Sequence, residues 1–88
     1  MKTPISAYLL AKNNFNYDGE GAWHWRETLD TDNGIERHVI NVMRYEDGTC
    51  EASIHADGIH RTFTPRYMEE LADAASNAGI GFVLNINQ

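Results

Sequence analysis

The stretch EASIHADGIHRTF (51–63) decides how this chain folds. An Asp57-Gly58 step sits between two short runs that mix apolar and β-branched residues with polar ones. Glycine accepts a positive φ and aspartate tolerates one, so a two-residue reversal at 57–58 closes a tight hairpin. That turn sets Ala56 opposite Ile59, His55 opposite His60, Ile54 opposite Arg61, Ser53 opposite Thr62 and Ala52 opposite Phe63. Each face is then coherent. Ala52, Ile54, Ala56, Ile59 and Phe63 lie on one side, with Ser53, His55, His60 and Thr62 on the other. A three-residue loop would mix the two sets, so the tight turn is the expected one.

Upstream, the same punctuation recurs at Asp18-Gly19, Asn33-Gly34 and Asp47-Gly48. Between these steps lie AWHWRETL (22–29), ERHVINVMRY (36–45) and TCEASIHA (49–56), all rich in β-branched and aromatic residues. ISAYLLA (5–11) reads as an earlier strand, and KNNFNYDGEG (12–21) is the one long irregular stretch. The turn at 46–48 admits two registers. A two-residue loop pairs Arg44 with Glu51, whereas a three-residue loop aligns Ile40 with Ile54 and Val42 with Ala52. VINVM (39–43) is apolar on both sides, as a central strand covered on both faces would be.

Downstream the period changes. Thr64-Pro65 reads as a helix start, with Thr64 as N-cap and Pro65 at the first helical position. Met68, Leu71, Ala72 and Ala75 then recur at helical spacing, with Arg66, Glu69, Glu70, Asp73, Ser76 and Asn77 on the other side. Gly79 serves as a left-handed cap, after which Ile80 folds back on the last turn. IGFVLNI (80–86) reads as a final strand. The expected class is α+β: a five- to six-stranded antiparallel meander with one helix (about 65–78) packed on one face, ordered β-β-β-β-β-α-β, as a single domain over 1–88. One helix cannot cover both faces of such a sheet. The second face therefore needs the 12–21 loop, a second copy of the chain, or a partner.

A chain of 88 residues has room for one core. The single cysteine, Cys50, excludes an internal disulfide. The N-terminal apolar run is too brief for a secretory core, and no run approaches the ~18 apolar residues of a membrane helix. These features point to a soluble protein of a reducing cytoplasm. Thirteen acids oppose seven bases, for a net charge of −6. No basic stripe of the kind that follows a phosphate backbone is visible, so direct nucleic-acid binding is not expected. An acidic domain suits a basic partner, whose approach it accelerates.

Candidate sites are few. His55 and His60, as cross-strand neighbours about 5 Å apart at Cβ, are weak metal candidates. A structural zinc needs four ligands, which His38 or Glu51 would have to help supply. Cys50 points to the other face and reads as a buried thiol. Trp23 and Trp25 share one strand face as core pieces or as anchors for a protein or sugar. Ser6, Ser53 and Ser76 sit in no nucleophile context, and DGEGAW (18–23) has no following helix to aim its amides. No cofactor and no enzymatic activity are expected.

Acids gather where the meander turns. Asp30, Asp32 and Asp57 fall at one rim, Asp18, Glu20, Glu46 and Asp47 at the other, while the helix adds Glu69, Glu70 and Asp73. Together with Tyr17, Trp23 and Trp25 these are the partner-binding candidates. The expected function is a small acidic protein-binding module that inhibits or modulates a partner with a basic surface, such as a nucleic-acid-handling enzyme. In size and charge it resembles small phage or mobile-element accessory proteins, which implies an anti-defence, anti-CRISPR-like role. The alternative is a small-ligand or metal-binding domain built on His55 and His60 or on the tryptophan pair. Homodimerisation through the second sheet face is compatible with either.

Overall fold

A computed structural model describes residues 2–86 of the chain. Five strands form one antiparallel sheet in sequence order: β1 (Asn16–Tyr17), β2 (Ala22–Thr31), β3 (Gly34–Arg44), β4 (Cys50–Ala56) and β5 (Ile59–Phe63). The β4–β5 ladder has the expected register throughout, including His55 opposite His60. At the preceding turn the three-residue alternative holds, with Ile40 opposite Ile54, Val42 opposite Ala52 and Arg44 opposite Cys50. Gly48, at φ 89°, makes this possible: its N–H donates to the Tyr45 carbonyl and the Tyr45 N–H to that of Thr49. A left-handed glycine closing such a loop is the usual route to a bulged hairpin.

Two short elements depart from the sequence reading. Residues 5–11 are not a strand. Ala7–Lys12 forms a helix, α1, whose N-cap Ser6 accepts the Leu9 N–H through its hydroxyl. Ala, Leu and Lys are strong helix formers, and the serine cap outweighs the weak alternation that suggested an extended segment. The last segment, 80–86, is likewise not a strand of the sheet. Ile80 and Phe82 are buried and Gly81 and Val83 exposed, so burial alternates at the start of the segment, but Leu84 is only half-buried and Ile86 is exposed. Its polar anchors are side chains instead. Glu27 accepts the Gly81 N–H at 2.9 Å, and Asn13 accepts the Asn85 N–H at 2.6 Å while donating to the Asn85 carbonyl at 2.9 Å.

The main helix, α2, spans Met68–Asn77, shorter at its start than the expected 65–78. Thr64-Pro65 lies in the connection, and Tyr67 takes the cap position without a side-chain bond. The N-terminal segment supplies the missing partners. The Thr3 carbonyl accepts the Met68 N–H at 2.8 Å, and Pro4 bridges Tyr67. Tertiary pairing has displaced the local cap. The C-terminal end is as expected, with Gly79 at φ 75° and the Ile80 N–H returned to the Ala75 carbonyl at 2.8 Å.

The core lies between the sheet and three pieces of chain on its one side. Ile40, Val42, Ala52 and Ile54 from the sheet meet Leu10 of α1, Met68, Leu71 and Ala75 of α2, and Phe15, Ile80 and Phe82. The opposite face carries Ala22, His24, Arg26 and Thr28 of β2, Arg37, Val39, Asn41 and Met43 of β3, Glu51, Ser53 and His55 of β4, and His60 and Thr62 of β5. Most of these are exposed or half-buried. Residues 12–21 do not cover them, because that stretch ends α1 and then forms β1 at the sheet edge.

Candidate functional site

The meander brings the β1–β2 and β3–β4 turns to one end of the sheet. There Tyr17, Glu20, Arg44, Tyr45 and Glu46 line a concavity of about 490 Å³. Tyr17 is 53% exposed and Tyr45 42% exposed. Local bonds hold this end in shape. Asp18 accepts the N–H groups of Glu20 at 2.7 Å and Ala22 at 3.1 Å, and the Tyr17 hydroxyl accepts that of Gly21 at 3.0 Å. Asp47 accepts both the hydroxyl and the N–H of Thr49. These bonds hold the carboxyls of Asp18 and Asp47 below the usual range, led by the Glu20 N–H in one case and the Thr49 hydroxyl in the other. Tyr45 is pushed up by partial desolvation and the nearby Glu51 carboxylate. Asp18 and Asp47 are thus loop-forming groups. Among the described residues, the carboxylates of Glu20 and Glu46 have no hydrogen-bond or ion-pair partner of their own.

The other predicted partner-binding residues divide by geometry. Asp30, Asp32 and Asp57 are exposed at the opposite end of the sheet, and Asp73 is exposed on α2. Glu69 and Glu70 are not simply solvated helix residues. Glu69 binds the Thr3 N–H at 2.7 Å and its hydroxyl at 2.9 Å, and Glu70 binds the Arg66 N–H at 2.7 Å. The Thr3 N–H is the main reason that Glu69 is held below the ordinary carboxyl range. Trp23 and Trp25 face the core side, half-buried. Trp25 meets the Phe82 ring edge-on at 5.4 Å, and Trp23 lies 4.7 Å from the ring of Tyr17. The exposed aromatics at the acidic end are the tyrosines. Tyr45 was illegible in sequence, being one aromatic at the end of a strand-like run.

On the open face, all five strands contribute to one polar row: Asn16, His24, Asn41, Ser53 and Thr62. His24 Nδ1 lies 2.5 Å from Asn41 Oδ1, and Asn41 Nδ2 donates to Ser53 Oγ at 3.3 Å. An amide oxygen only accepts, so Nδ1 carries the proton. His24 Nε2 then faces Asp18 Oδ2 at 4.0 Å. One row away, the rings of His55 and His60 stack at 4.2 Å and 17°. Lone pairs of near-parallel rings run alongside each other instead of converging on one ion. His38, a suggested further ligand, is on the core side, bonded to Glu27. Cys50 is buried on that side too, and desolvation pushes its thiol up. Among the described residues, no group of three or more His, Cys, Asp or Glu side chains is placed to hold a metal.

No helix among the described residues is long and apolar enough to cross a membrane. Compared with known proteins, the chain matches no family model, no curated protein and no solved structure.

Proposed function

We propose that this chain is a non-enzymatic protein-binding module that inhibits or modulates a partner with a basic surface, such as an enzyme that handles nucleic acid. The observation that carries the reading is the acidic end of the sheet, where exposed Tyr17 and Tyr45 stand beside the unengaged carboxylates of Glu20 and Glu46. Tyrosine supplies large contact area at small entropic cost and is enriched among the residues that dominate interfaces. Flanking carboxylates steer a basic partner and occupy positions otherwise filled by phosphates. An inhibitor needs no chemistry of its own. A role for the protein against a host nuclease or another defence complex is the natural version of this reading.

Affinity purification from a lysate of the source organism tests it, with the wild-type chain run beside a Glu20→Lys, Glu46→Lys double variant. The expected result is a defined nucleic-acid enzyme held by the wild type, released steeply by salt and not retained by the variant. Retention that is insensitive both to salt and to the charge reversal removes the acidic-end mechanism. The solution mass of the purified protein decides separately whether two copies pair through the open face.

A further inference from the structure

The basic groups of this acidic chain are not spread evenly. On the open face, Arg26 lies opposite Val39, which is opposite His55, while Arg37 lies opposite Thr28. The two arginines are therefore diagonal neighbours on one face of an antiparallel pair, within reach of a shared ligand. Together with His24, Thr28, Asn41 and His55 they line a concavity of about 570 Å³, inside the size range of small-molecule clefts. Arg26, Arg37, Thr28 and His55 can each donate a hydrogen bond there, whereas His24 Nδ1 is engaged by Asn41 and Asn41 Nδ2 by Ser53. Glu27 also borders it, but its carboxylate is turned to the core side and engaged by His38 and Gly81.

Neither arginine is satisfied by the protein. The ion pairs among the described residues all belong to histidines, and no hydrogen bond uses the guanidinium of Arg26 or Arg37. Three carboxylates border this patch. Asp18 Oδ2 lies 4.0 Å from His24 Nε2, Asp30 pairs Ile35 and so is the other diagonal neighbour of Arg37, and Glu51 pairs Met43 two rows from Arg26. None of them forms an ion pair with an arginine. Unpaired arginines side by side in a chain of net charge −6 are a specific feature. At physiological salt, charges beyond ~8 Å are largely screened, so the acids of the sheet ends and of the helix act weakly on a small ligand held by this pair. Guanidinium forks match the oxygens of a tetrahedral or planar oxyanion in bidentate fashion. The Thr28 hydroxyl and the His55 ring add further hydrogen-bonding groups at its margin.

We infer that this patch of the open sheet face binds a dianionic oxyanion on a small molecule, a phosphomonoester in particular. The flanking Asp30 and Glu51 would repel a longer polyanion, which favours a compact ligand over a nucleic-acid strand. The inference is independent of the proposed acidic end, which lies at a sheet terminus and uses other residues.

The test is a titration of the isotope-labelled full chain with inorganic phosphate, and separately with malonate, followed by NMR at ionic strength held constant with sodium chloride. Saturable shifts are expected at the Arg26 and Arg37 guanidinium N–H groups and at the amides of Thr28, Val39 and His55, with phosphate tighter than malonate. Arg26→Gln and Arg37→Gln should each weaken phosphate roughly tenfold, as loss of a charge-assisted pair does, while the thermal midpoint without ligand is unchanged. The Glu20→Lys, Glu46→Lys variant should titrate like the wild type, so failure of the acidic-end reading leaves this one intact. Shifts that do not saturate, that sodium chloride alone reproduces, or that survive both arginine substitutions overturn the site. Malonate binding as tightly as phosphate overturns the phosphomonoester assignment.

Discussion

His38 Nδ1 sits 2.6 Å from Glu27 Oε2, and the same carboxylate oxygen accepts the Gly81 N–H at 2.9 Å. One carboxylate therefore joins β2, β3 and the final segment. The other ring nitrogen of His38 faces Glu36 Oε2 at 3.6 Å, so the imidazole lies between two carboxylates while only 4% exposed. A buried polar group with all its partners specifies one arrangement, and losing a partner is costly.

Acid should loosen this joint. Partial burial works against the Glu27 charge, but the Gly81 N–H and His38 outweigh it, and the carboxyl is held below its ordinary 4.5. A lowered folded-state pKa contributes stability that is full above the unfolded value and is lost as pH falls through the folded one. Denaturant unfolding at neutral pH should show Glu27→Gln destabilised by about 1–3 kcal/mol. The gap to wild type should close as pH drops below 4.5. Asp18, Asp47 and Glu69 also weaken in acid, but they are common to both proteins and cancel in the difference. A gap that stays constant down to the acid limit would show that the Glu27 charge is not what matters.

Gly81 is a second probe of the joint. A Cβ placed there would stand 2.8 Å from Glu27 Oε1. The carboxylate is held by two hydrogen bonds and cannot swing aside without breaking one. Gly81→Ala should cost about 1–2 kcal/mol by displacing the Glu27 carboxylate from His38. In a His38→Ala background much of that cost should vanish, since the bond it disrupts is already gone. Simple additivity of the two changes, read from urea midpoints, would mean that the glycine is needed for another reason.

The hairpin around Asp57-Gly58 was legible because one register alone kept its faces coherent, and the alternation of Ala52, Ile54, Ile59 and Phe63 enforced it. The turn at 46–48 was open because both registers gave a plausible core, and backbone freedom at Gly48 decided between them. Residues 5–11 and 80–86 misled for related reasons. Alternation of apolar residues reports burial, and Ile80 and Phe82 are indeed buried, but it does not say which groups take up the backbone N–H and C=O. Here Asn13 and Glu27, distant in sequence, do so. The arginine pair of the open face was hidden similarly. Arg26 and Arg37 are separated by a hairpin, each next to a glutamate in sequence, and only the β2–β3 register brings them together.

Asn13 is the other fastening of the final segment. It is 3% exposed, and its amide donates to the carbonyls of Leu9 and Asn85 while its oxygen accepts the Asn85 N–H. Asn13→Ala leaves the Leu9 carbonyl its bond from the residue-13 backbone N–H but removes both side-chain partners of the Asn85 backbone, and should destabilise by about 1–2 kcal/mol. Asn13→Asp keeps the acceptor for Asn85 but removes both donors, so it should be nearly as damaging. Hydrogen exchange should quicken first at Asn85 and its neighbours, well before the β3–β4 ladder. Uniform loss of protection across the sheet would instead make this segment part of a single cooperative unit.

His55 and His60 now have a definite geometry to test. Their stacked rings lie on the open face, His60 exposed and His55 half-buried, with Val39 and Arg26 continuing the row. Removing an exposed side chain that fills no core volume should cost little, so His60→Ala is expected within about 0.5 kcal/mol of wild type. Metal response is the sharper measurement. A site binding zinc or nickel only when folded would raise the thermal midpoint by mass action, by about 2.7 kcal/mol at a hundredfold excess over its dissociation constant. Near-parallel rings with no third ligand predict no rise, in the wild type or in His55→Ala. A rise that both His55→Ala and His60→Ala abolish would mean that the rings reorient to meet an ion. The open face would then hold a metal site beside the arginine patch.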